Sequence, residues 1–344
     1  MLDNVTPFGA AAAFAYGLDD VAMVVLCVAG RFRLPRAGTA EDGPLELADE
    51  QPAPPMADSH LANPAESSLH VPGQCVPDRP GAEVYLHGSA WARAGKPVTE
   101  LRTRLRVGTC RKEVHLLGDR WWVHTATGIG ATKPEPFVRL PLVYERSYGG
   151  TGRDADGRIV VQEARNPIGR GCYATAEDAA HKALPNLELP GERIGAWNDR
   201  ATPWGYGAVP GSWQPRLAWA GTYDEAWAEQ RAPLWPRDAD NRYFCAAAPG
   251  LAASDPFRGG EPVLLDGFSP DGVISFRLPE MRLVAKSYYA LSEARGEMAL
   301  EGVLLEPDHG AVTLFWRRAI PMGPPANLHL ASVLRLLEPW EELA

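Results

Sequence analysis

A middle segment without regular hydrophobic periodicity, residues 149–260, most constrains how this chain of 344 residues can fold. Glycine, proline and aromatic residues are frequent in it, and it holds six of the eleven tryptophans: Trp197, Trp204, Trp213, Trp219, Trp227 and Trp235. A segment of about 110 residues without long strands or helices is far longer than an ordinary connection, and such segments are usually functional when ordered. Because a buried aromatic side chain removes about 150–250 Å² from water, we expect the tryptophans to anchor this segment.

Short β-strand patterns precede this segment. Residues 21–34 begin as a continuous apolar run and end in alternation, which predicts a buried strand. Residues 35–80 are rich in Pro, Gly, Asp and Ser and are predicted to be mostly extended coil. Further strands are predicted at 82–91, 99–107, 111–117 and 121–125, interpreted as a meander, and at 137–148, where Pro141 indicates an edge or a bulge.

Strand patterns return after residue 260. Residues 263–268 and 273–278 flank Ser-Pro-Asp-Gly at 269–272, a strong hairpin turn because Pro presets φ and Gly tolerates a positive φ. Strands are also predicted at 282–291, 297–305 and 312–317. Residues 328–337 fit either a last strand or a short helix.

These patterns predict a mainly β fold with antiparallel sheets, arranged as a sandwich or an open barrel, and few short helices. The 34 glycines and 32 prolines make up about a fifth of the chain, where roughly 12% is usual, and this argues against long helices. We expect one domain over 1–344, with a β-rich part at 1–148, the irregular aromatic-rich segment at 149–260 and a second β-rich part at 261–344.

Charge and cysteine usage restrict the partners and the compartment. The 43 acidic and 34 basic side chains give a net charge of −9, which repels a phosphate backbone, so we expect no nucleic-acid partner. The longest apolar run, 21–29, is about half of a membrane span, so no membrane association is expected. The five cysteines are odd in number and scattered without a C-x-x-C pair, which is typical of reduced thiols in the cytoplasm.

No common catalytic or metal-binding signature is present in the sequence. The zinc motif H-E-x-x-H, the phosphate-binding loop and the G-x-S-x-G nucleophile motif are absent. The eight histidines are spread singly without ligand spacing, and each is expected to be structural. Asp-Ala-Asp-Gly at 154–157 is a fragment of a calcium loop, but a β-turn is the favoured interpretation. We therefore predict no catalytic residue, no metal and no cofactor.

Two groups of side chains are candidates for binding a partner. One is a basic stripe on the predicted strand 99–107, opposite an apolar face, which can dock an acidic surface or simply be solvated: Arg102, Arg104 and Arg106, extended by Arg111 and Lys112. The other lies in the middle segment: Trp204, Trp213, Arg216, Tyr223, Asp224, Trp227, Trp235 and Arg242. Trp, Tyr and Arg are the side chains most often found at the energetic centre of interfaces.

The cluster of aromatic and acidic residues at 213–243 has a second interpretation. Aromatic faces beside two carboxylates, such as Asp224 and Glu225, can form a sugar site. The favoured alternative is that the aromatic residues anchor a long coil and so offset its conformational entropy. A helix of about two turns is predicted at 222–231, with Thr222 as N-cap, Glu225 completing a capping box, and Pro233 ending it.

Seven segments of the chain, read as whole phrases, resemble one bacterial protein family. They are LADEQP at 47–52, PLVYERSYGG at 141–150, NPIGRG at 166–171, LPNLE at 184–188, WQPR at 213–216, AGTYDEAW at 220–227 and RGGEP at 258–262. In their order over most of the chain they resemble the domain-of-unknown-function family 2169 (DUF2169), found in type VI secretion loci. Cys245 and the alanines at 246–248 depart from the family's pattern.

The resemblance implies an adaptor or chaperone instead of an enzyme. Such a protein binds a toxic effector in the cytoplasm of the producing cell and helps load it onto the secretion spike, through the PAAR-repeat tip or the valine-glycine repeat protein (VgrG). Two alternatives remain at this point: a carbohydrate-active enzyme and a structural component of the secretion apparatus. The unpaired sheet edges of a β-rich fold suit binding by β-augmentation.

Overall fold

The computed structural model describes residues 1–39, 43–338 and 341, and the protein is mainly β, with 40% strand and 9% helix. The described residues contain three short α-helices: α1 (Ala176–Ala179), α2 (Arg216–Trp219) and α3 (Glu225–Gln230). Turns of 3-10 helix lie at Arg93–Gly95, Tyr144–Arg146, Asn241–Phe244, Pro307–His309 and Pro325–Asn327. The strands are β1 (Leu2–Asn4), β2 (Gly9–Tyr16), β3 (Ala22–Arg33), β4 (Ser59–His60), β5 (Leu69–Val71), β6 (Ala82–Leu86), β7 (Ser89–Trp91), β8 (Glu100–Val107), β9 (Cys110–Leu117), β10 (Trp122–Thr125), β11 (Gly128–Ala131), β12 (Arg139–Pro141), β13 (Tyr148–Gly149), β14 (Thr151–Arg153), β15 (Ile159–Gln162), β16 (Arg170–Gly171), β17 (Leu187–Glu188), β18 (Ala252–Ala253), β19 (Pro262–Asp266), β20 (Ile274–Arg277), β21 (Leu283–Tyr289), β22 (Glu293–Glu297), β23 (Ala299–Glu306), β24 (Ala311–Pro321) and β25 (His329–Leu336).

The largest sheet has six strands in the order β18-β6-β23-β24-β3-β2. Its central strands β24 and β3 pair antiparallel along the whole of Ala311–Pro321. Residues 25–30 of β3 are all buried, because both faces of this strand are covered. Double-sided burial explains why the sequence there is a continuous apolar run instead of an alternating one. The buried strand predicted at 21–34 is confirmed.

A five-stranded sheet, β17-β9-β8-β19-β20, shares the main hydrophobic core with the six-stranded sheet. On β8 the residues Thr103, Leu105 and Val107 are buried while the arginines between them are exposed, as the alternation predicts. The hairpin of β19 and β20 is also confirmed. A four-stranded sheet, β1-β25-β21-β22, adds Leu283 and Leu334 to the same core. The predicted fold class, mainly β with antiparallel sheets, is confirmed.

The two ends of the chain share their sheets. β1 pairs with β25, β3 with β24, β6 with β23 and β8 with β19, so strands before the middle segment lie beside strands that follow it. The predicted meander is therefore wrong. Of the four strands predicted for the meander, those at 99–107 and 111–117 pair with each other as β8 and β9 in the described structure, whereas β6 belongs to the six-stranded sheet and β10 pairs with β11.

The middle segment and the coil at 35–80 cover the second face of the six-stranded sheet. Leu69, Ala208 and Ala246 pack there against Tyr85 and Phe315. A second, smaller core joins Cys172, Ala179, Leu184 and Ile194 of the segment to Trp122 and Tyr148, which lie outside it. The segment's own Trp213 is buried with Tyr144 and Val209 in another cluster. The irregular segment is therefore held by hydrophobic packing.

The strand predicted at 137–148 is wrong over most of its length. β12 ends at Pro141 and a 3-10 turn follows at Tyr144–Arg146. The buried side chain of Tyr144 packs against Trp213, with ring centroids 5.4 Å apart. This turn is stabilised by Asn166, whose side-chain amide donates to the carbonyls of Tyr144 and Tyr148, each at 2.9 Å.

Candidate functional site

β2 is an outermost strand of the six-stranded sheet and forms an apolar edge. Its sequence, GAAAAFAY, contains no charge and no proline, the residues by which proteins usually protect an exposed edge from pairing with another chain. The side chain of Phe14 is 58% exposed and contacts the ring of Tyr16 edge to face, with centroids 5.1 Å apart. No strand was predicted here, although the apolar run, the turn at 17–20 and the next apolar run together indicate a hairpin.

The register with β3 identifies which backbone groups of β2 point outward. Gly17 donates its N–H to the carbonyl of Val21, and hydrogen-bonded pairs alternate along an antiparallel ladder. The residues with outward N–H and C=O groups are therefore Ala10, Ala12, Phe14 and Tyr16. In the described part of the chain the backbone of residues 9–15 makes hydrogen bonds only to β3. This edge can accept a further strand.

Two side chains of the middle segment attach it to the end of β2. The indole nitrogen of Trp235 donates to the carbonyl of Tyr16 at 2.9 Å. The guanidinium of Arg231 binds both carboxylate oxygens of Asp20, at 2.9 and 2.7 Å, in the turn between β2 and β3. The hydrogen bond from Arg231 holds the pKa of Asp20 below its usual value. The segment that follows α2 is thus fixed beside the apolar edge.

Helix α3 extends from this attachment and exposes most of its side chains. It begins after Asp224, whose carboxylate accepts the N–H of Trp227 at 2.8 Å. The predicted capping box with Thr222 as N-cap is wrong, because Thr222 instead donates its hydroxyl to Asp238 at 2.7 Å. Asp224 is therefore the N-cap of this helix.

Exposed aromatic and cationic groups surround α3. Tyr223 is 51% exposed and packs edge to face on the half-buried Trp227, with centroids 4.6 Å apart. Arg242 lies over the ring of Trp219 at 4.8 Å and forms an ion pair with Asp240. Leu217, Tyr223, Trp227 and Arg242 belong to the segment that Arg231 and Trp235 attach to β2, and we group them with the outer side of β2 under the name β2 edge surface. Its exposed Tyr, Trp and Arg side chains are of the types that contribute most to protein interfaces.

Trp213 and Arg216 lie beneath this region. Trp213 is 4% exposed, and Arg216 is 8% exposed. The Arg216 guanidinium donates to the carbonyl of Tyr243 at 2.9 and 2.7 Å and also binds the carbonyl of Val209. Burial lowers the pKa of Arg216. These two side chains therefore organise the segment from within and present little surface to a partner.

The arginine stripe lies on the five-stranded sheet, separate from the β2 edge surface. Arg102 and Arg104 both pair with Glu113, and Arg106 donates to the carbonyl of Gly108. Lys112 does not belong to this stripe. It is buried, its ammonium lies 3.3 Å from the centroid of the Trp204 ring, and it donates to the carbonyl of Pro249 at 2.7 Å. The indole nitrogen of Trp204 donates to the carbonyl of Glu113.

The carboxylates near the aromatic cluster lack the environment of a glycosidase pair. A general acid in such an enzyme needs a raised pKa. The hydrogen bond from Arg242 instead lowers the pKa of Asp240 to about 2, and hydrogen bonds from Thr222 lower that of Asp238. Asp224 is occupied as a helix cap. Asp238 and Asp240 therefore lack the raised pKa of a general acid, whereas the sugar-site interpretation of Asp224 and Glu225 stays a prediction.

Comparisons with known proteins give one match. Residues 19–317 match the family model described as an uncharacterized protein conserved in bacteria, DUF2169. No curated protein and no solved structure matches the chain. Within the described residues, no helix combines the length and the apolar composition that crossing a membrane requires.

Proposed function

This chain belongs to the DUF2169 family, and from that premise we propose that it is a type VI secretion adaptor or chaperone. It binds a toxic effector in the cytoplasm of the producing cell and helps to load it onto the spike, through the PAAR-repeat tip or VgrG. The protein acts by binding and has no catalytic role. The observation that carries this proposal is the apolar edge of β2 beside exposed aromatic side chains.

An extended segment of the effector or of the spike adds a strand to β2. The outward N–H and C=O groups of Ala10, Ala12 and Phe14 supply main-chain hydrogen bonds, which give affinity without requiring a particular sequence. Side chains of the added strand can then contact the exposed Phe14, and Tyr223 and Trp227 offer further aromatic surface on the segment attached to β2. Covering this edge in the complex also prevents unwanted pairing of the adaptor with itself.

Coexpression with the product of a neighbouring effector gene tests the proposal. We expect the two proteins to copurify in a fixed ratio, and we expect effector secretion to require the adaptor. An effector that remains soluble and is secreted without this protein would overturn the adaptor function.

The variant Ala12→Pro tests the binding mode separately. Proline removes one outward N–H, and Ala12 lies at a position whose N–H is not used by β3, so the sheet remains paired. We expect at least tenfold weaker binding of the effector. The matched control Ala12→Thr keeps the N–H and should bind like the parent protein. Equal binding by both variants would exclude β-augmentation at β2 while leaving the adaptor function open to the secretion test.

A further inference from the structure

Two histidines and a glutamate that are far apart in the sequence meet at one end of the six-stranded sheet. His70 is the central residue of β5, His87 directly follows β6, and Glu306 ends β23. β6 and β23 are parallel neighbours with Leu86 opposite Leu305, which places His87 and Glu306 at the same end of adjacent strands. The strands β24 and β3 separate this cluster from β2, so it is distinct from the β2 edge surface.

The spacing of these side chains suits a small cation. Their potential ligand atoms all lie within 4.8 Å of one another, and His70 Nε2 is 3.3 Å from Glu306 Oε1. Bonds of about 2.0–2.2 Å to a tetrahedral zinc ion separate two ligand atoms by roughly 3.3–3.6 Å. The imidazole rings of His70 and His87 lie 4.7 Å apart at 69°.

Polar groups in the cluster lack sufficient partners among the described residues. His87 Nδ1 is buried and makes no hydrogen bond there. The Glu306 side chain is 5% exposed, and its second oxygen forms an ion pair with Arg31 at 3.1 Å. Buried polar atoms without a partner are rare and require an explanation. One explanation is a bound ligand that supplies the missing partner.

The other charged groups nearby are already engaged or exposed. Asp308 accepts the indole N–H of Trp91 and pairs with Arg139, each at 2.9 Å. His309 is exposed. Arg31 opposes a dication, but it approaches only the glutamate oxygen that does not face His70. One carboxylate oxygen and two imidazoles therefore remain for a metal.

We infer that His70, His87 and Glu306 bind one divalent transition-metal ion of the zinc type. Imidazole and carboxylate ligands together select such ions over Mg²⁺ and Ca²⁺, which prefer all-oxygen sites. The half-exposed imidazoles leave the fourth position to water. The ion joins β5, and with it the coil at 61–80, to the end of the sheet, and because it binds the folded chain it stabilises the fold.

Titration of the chelator-treated full-length protein, without a histidine tag, tests this site. Calorimetry should find one Zn²⁺ per chain and no binding of Mg²⁺ at the same concentration. His70→Ala and His87→Ala should each weaken zinc binding at least tenfold and abolish the increase in melting temperature caused by zinc. Because free thiols also bind zinc, Cys75→Ser is included and should leave binding unchanged.

The matched control is His124→Ala. His124 also packs against a second histidine, His181, at 5.6 Å, but that pair is not among the described groups able to hold a metal. The control variant should bind zinc like the parent protein. The inference is overturned if the parent protein binds no zinc, if both His70 and His87 variants bind it normally, or if His124→Ala weakens binding as much as they do.

Discussion

The indole N–H of Trp235 donates to the backbone carbonyl of Tyr16 at 2.9 Å, which ties the middle segment to an edge strand 219 residues earlier in the chain. This contact uses an outward carbonyl of β2, the last one before the turn to β3. The ring of Trp235 also packs on Tyr243 and Phe244, with centroids 5.8 and 5.1 Å away. The aromatic part of the β2 edge surface thus depends on β2 for its position.

Trp235→Phe should lower the free energy of unfolding by about 1 kcal/mol. The substitution removes one hydrogen bond but retains an aromatic ring in the same packing site. Urea denaturation monitored by circular dichroism measures the change. A variant as stable as the parent protein would show that the hydrogen bond contributes nothing to anchoring the segment.

Tyr223→Ala should weaken effector binding at least fivefold with little loss of stability. The ring is 51% exposed and packs edge to face on Trp227, so few buried contacts are lost. Tyr288→Ala is the matched control, because Tyr288 is 37% exposed on the four-stranded sheet. Affinities from biolayer interferometry should separate the two variants. Equal affinities would place the effector away from the β2 edge surface.

Lys112 should make stability rise with pH. Burial lowers its pKa to about 7, whereas an unfolded lysine titrates near 10.5, so between these values the unfolded state binds more protons. The destabilisation is fully present below pH 7 and is relieved as pH rises. The Trp204 ring and the carbonyl of Pro249 offset part of the burial effect.

Lys112→Met removes this titration and provides the measurement. The stability of the parent protein relative to the variant should increase by about 2 kcal/mol between pH 7 and pH 9, since one pKa unit corresponds to about 1.4 kcal/mol. Taking the difference between the two proteins cancels the titration of the cysteines. A difference that does not change with pH would mean that the ring and the carbonyl keep the lysine charged.

Asn166→Ala should lower the free energy of unfolding by about 2–3 kcal/mol. Asn166 is fully buried, and the substitution removes both hydrogen bonds from its amide to the carbonyls of Tyr144 and Tyr148, of which that of Tyr144 still accepts the N–H of Ser147. Gln162→Ala is the control, because the Gln162 amide donates one exposed hydrogen bond to Thr151. This substitution should lower the free energy of unfolding by less than about 0.5 kcal/mol. Chemical denaturation of both variants should give these unequal losses.

Local sequence patterns predicted those strands well that have one buried face or two buried faces. The alternation on β8 predicted which side of it is apolar, and the Ser-Pro-Asp-Gly turn predicted the hairpin of β19 and β20. The pairing of β6 with β23 was not predictable, because backbone hydrogen bonds can form between any two strands and do not depend on the partner's sequence. For the same reason the meander was wrong.

The candidate surface shows the same division. The sequence indicated the middle segment and its Trp, Tyr and Arg residues, but it did not distinguish the buried Trp213 and Arg216 from the exposed Tyr223 and Arg242. These residue types occur both in cores and at interfaces, so their chemistry alone does not separate the two. No strand was predicted at 9–16, the residues that form the sheet edge.

Local sequence patterns were enough to predict the β-rich class, most of the longer strands and the aromatic content of the middle segment, because side-chain periodicity and turn chemistry act between near neighbours. The tertiary structure alone decided that β2 forms an open edge beside Trp235 and that His70, His87 and Glu306 meet. Both arrangements join residues from distant parts of the chain. They arise only when burial of the shared core selects one order of strands among many that the backbone permits.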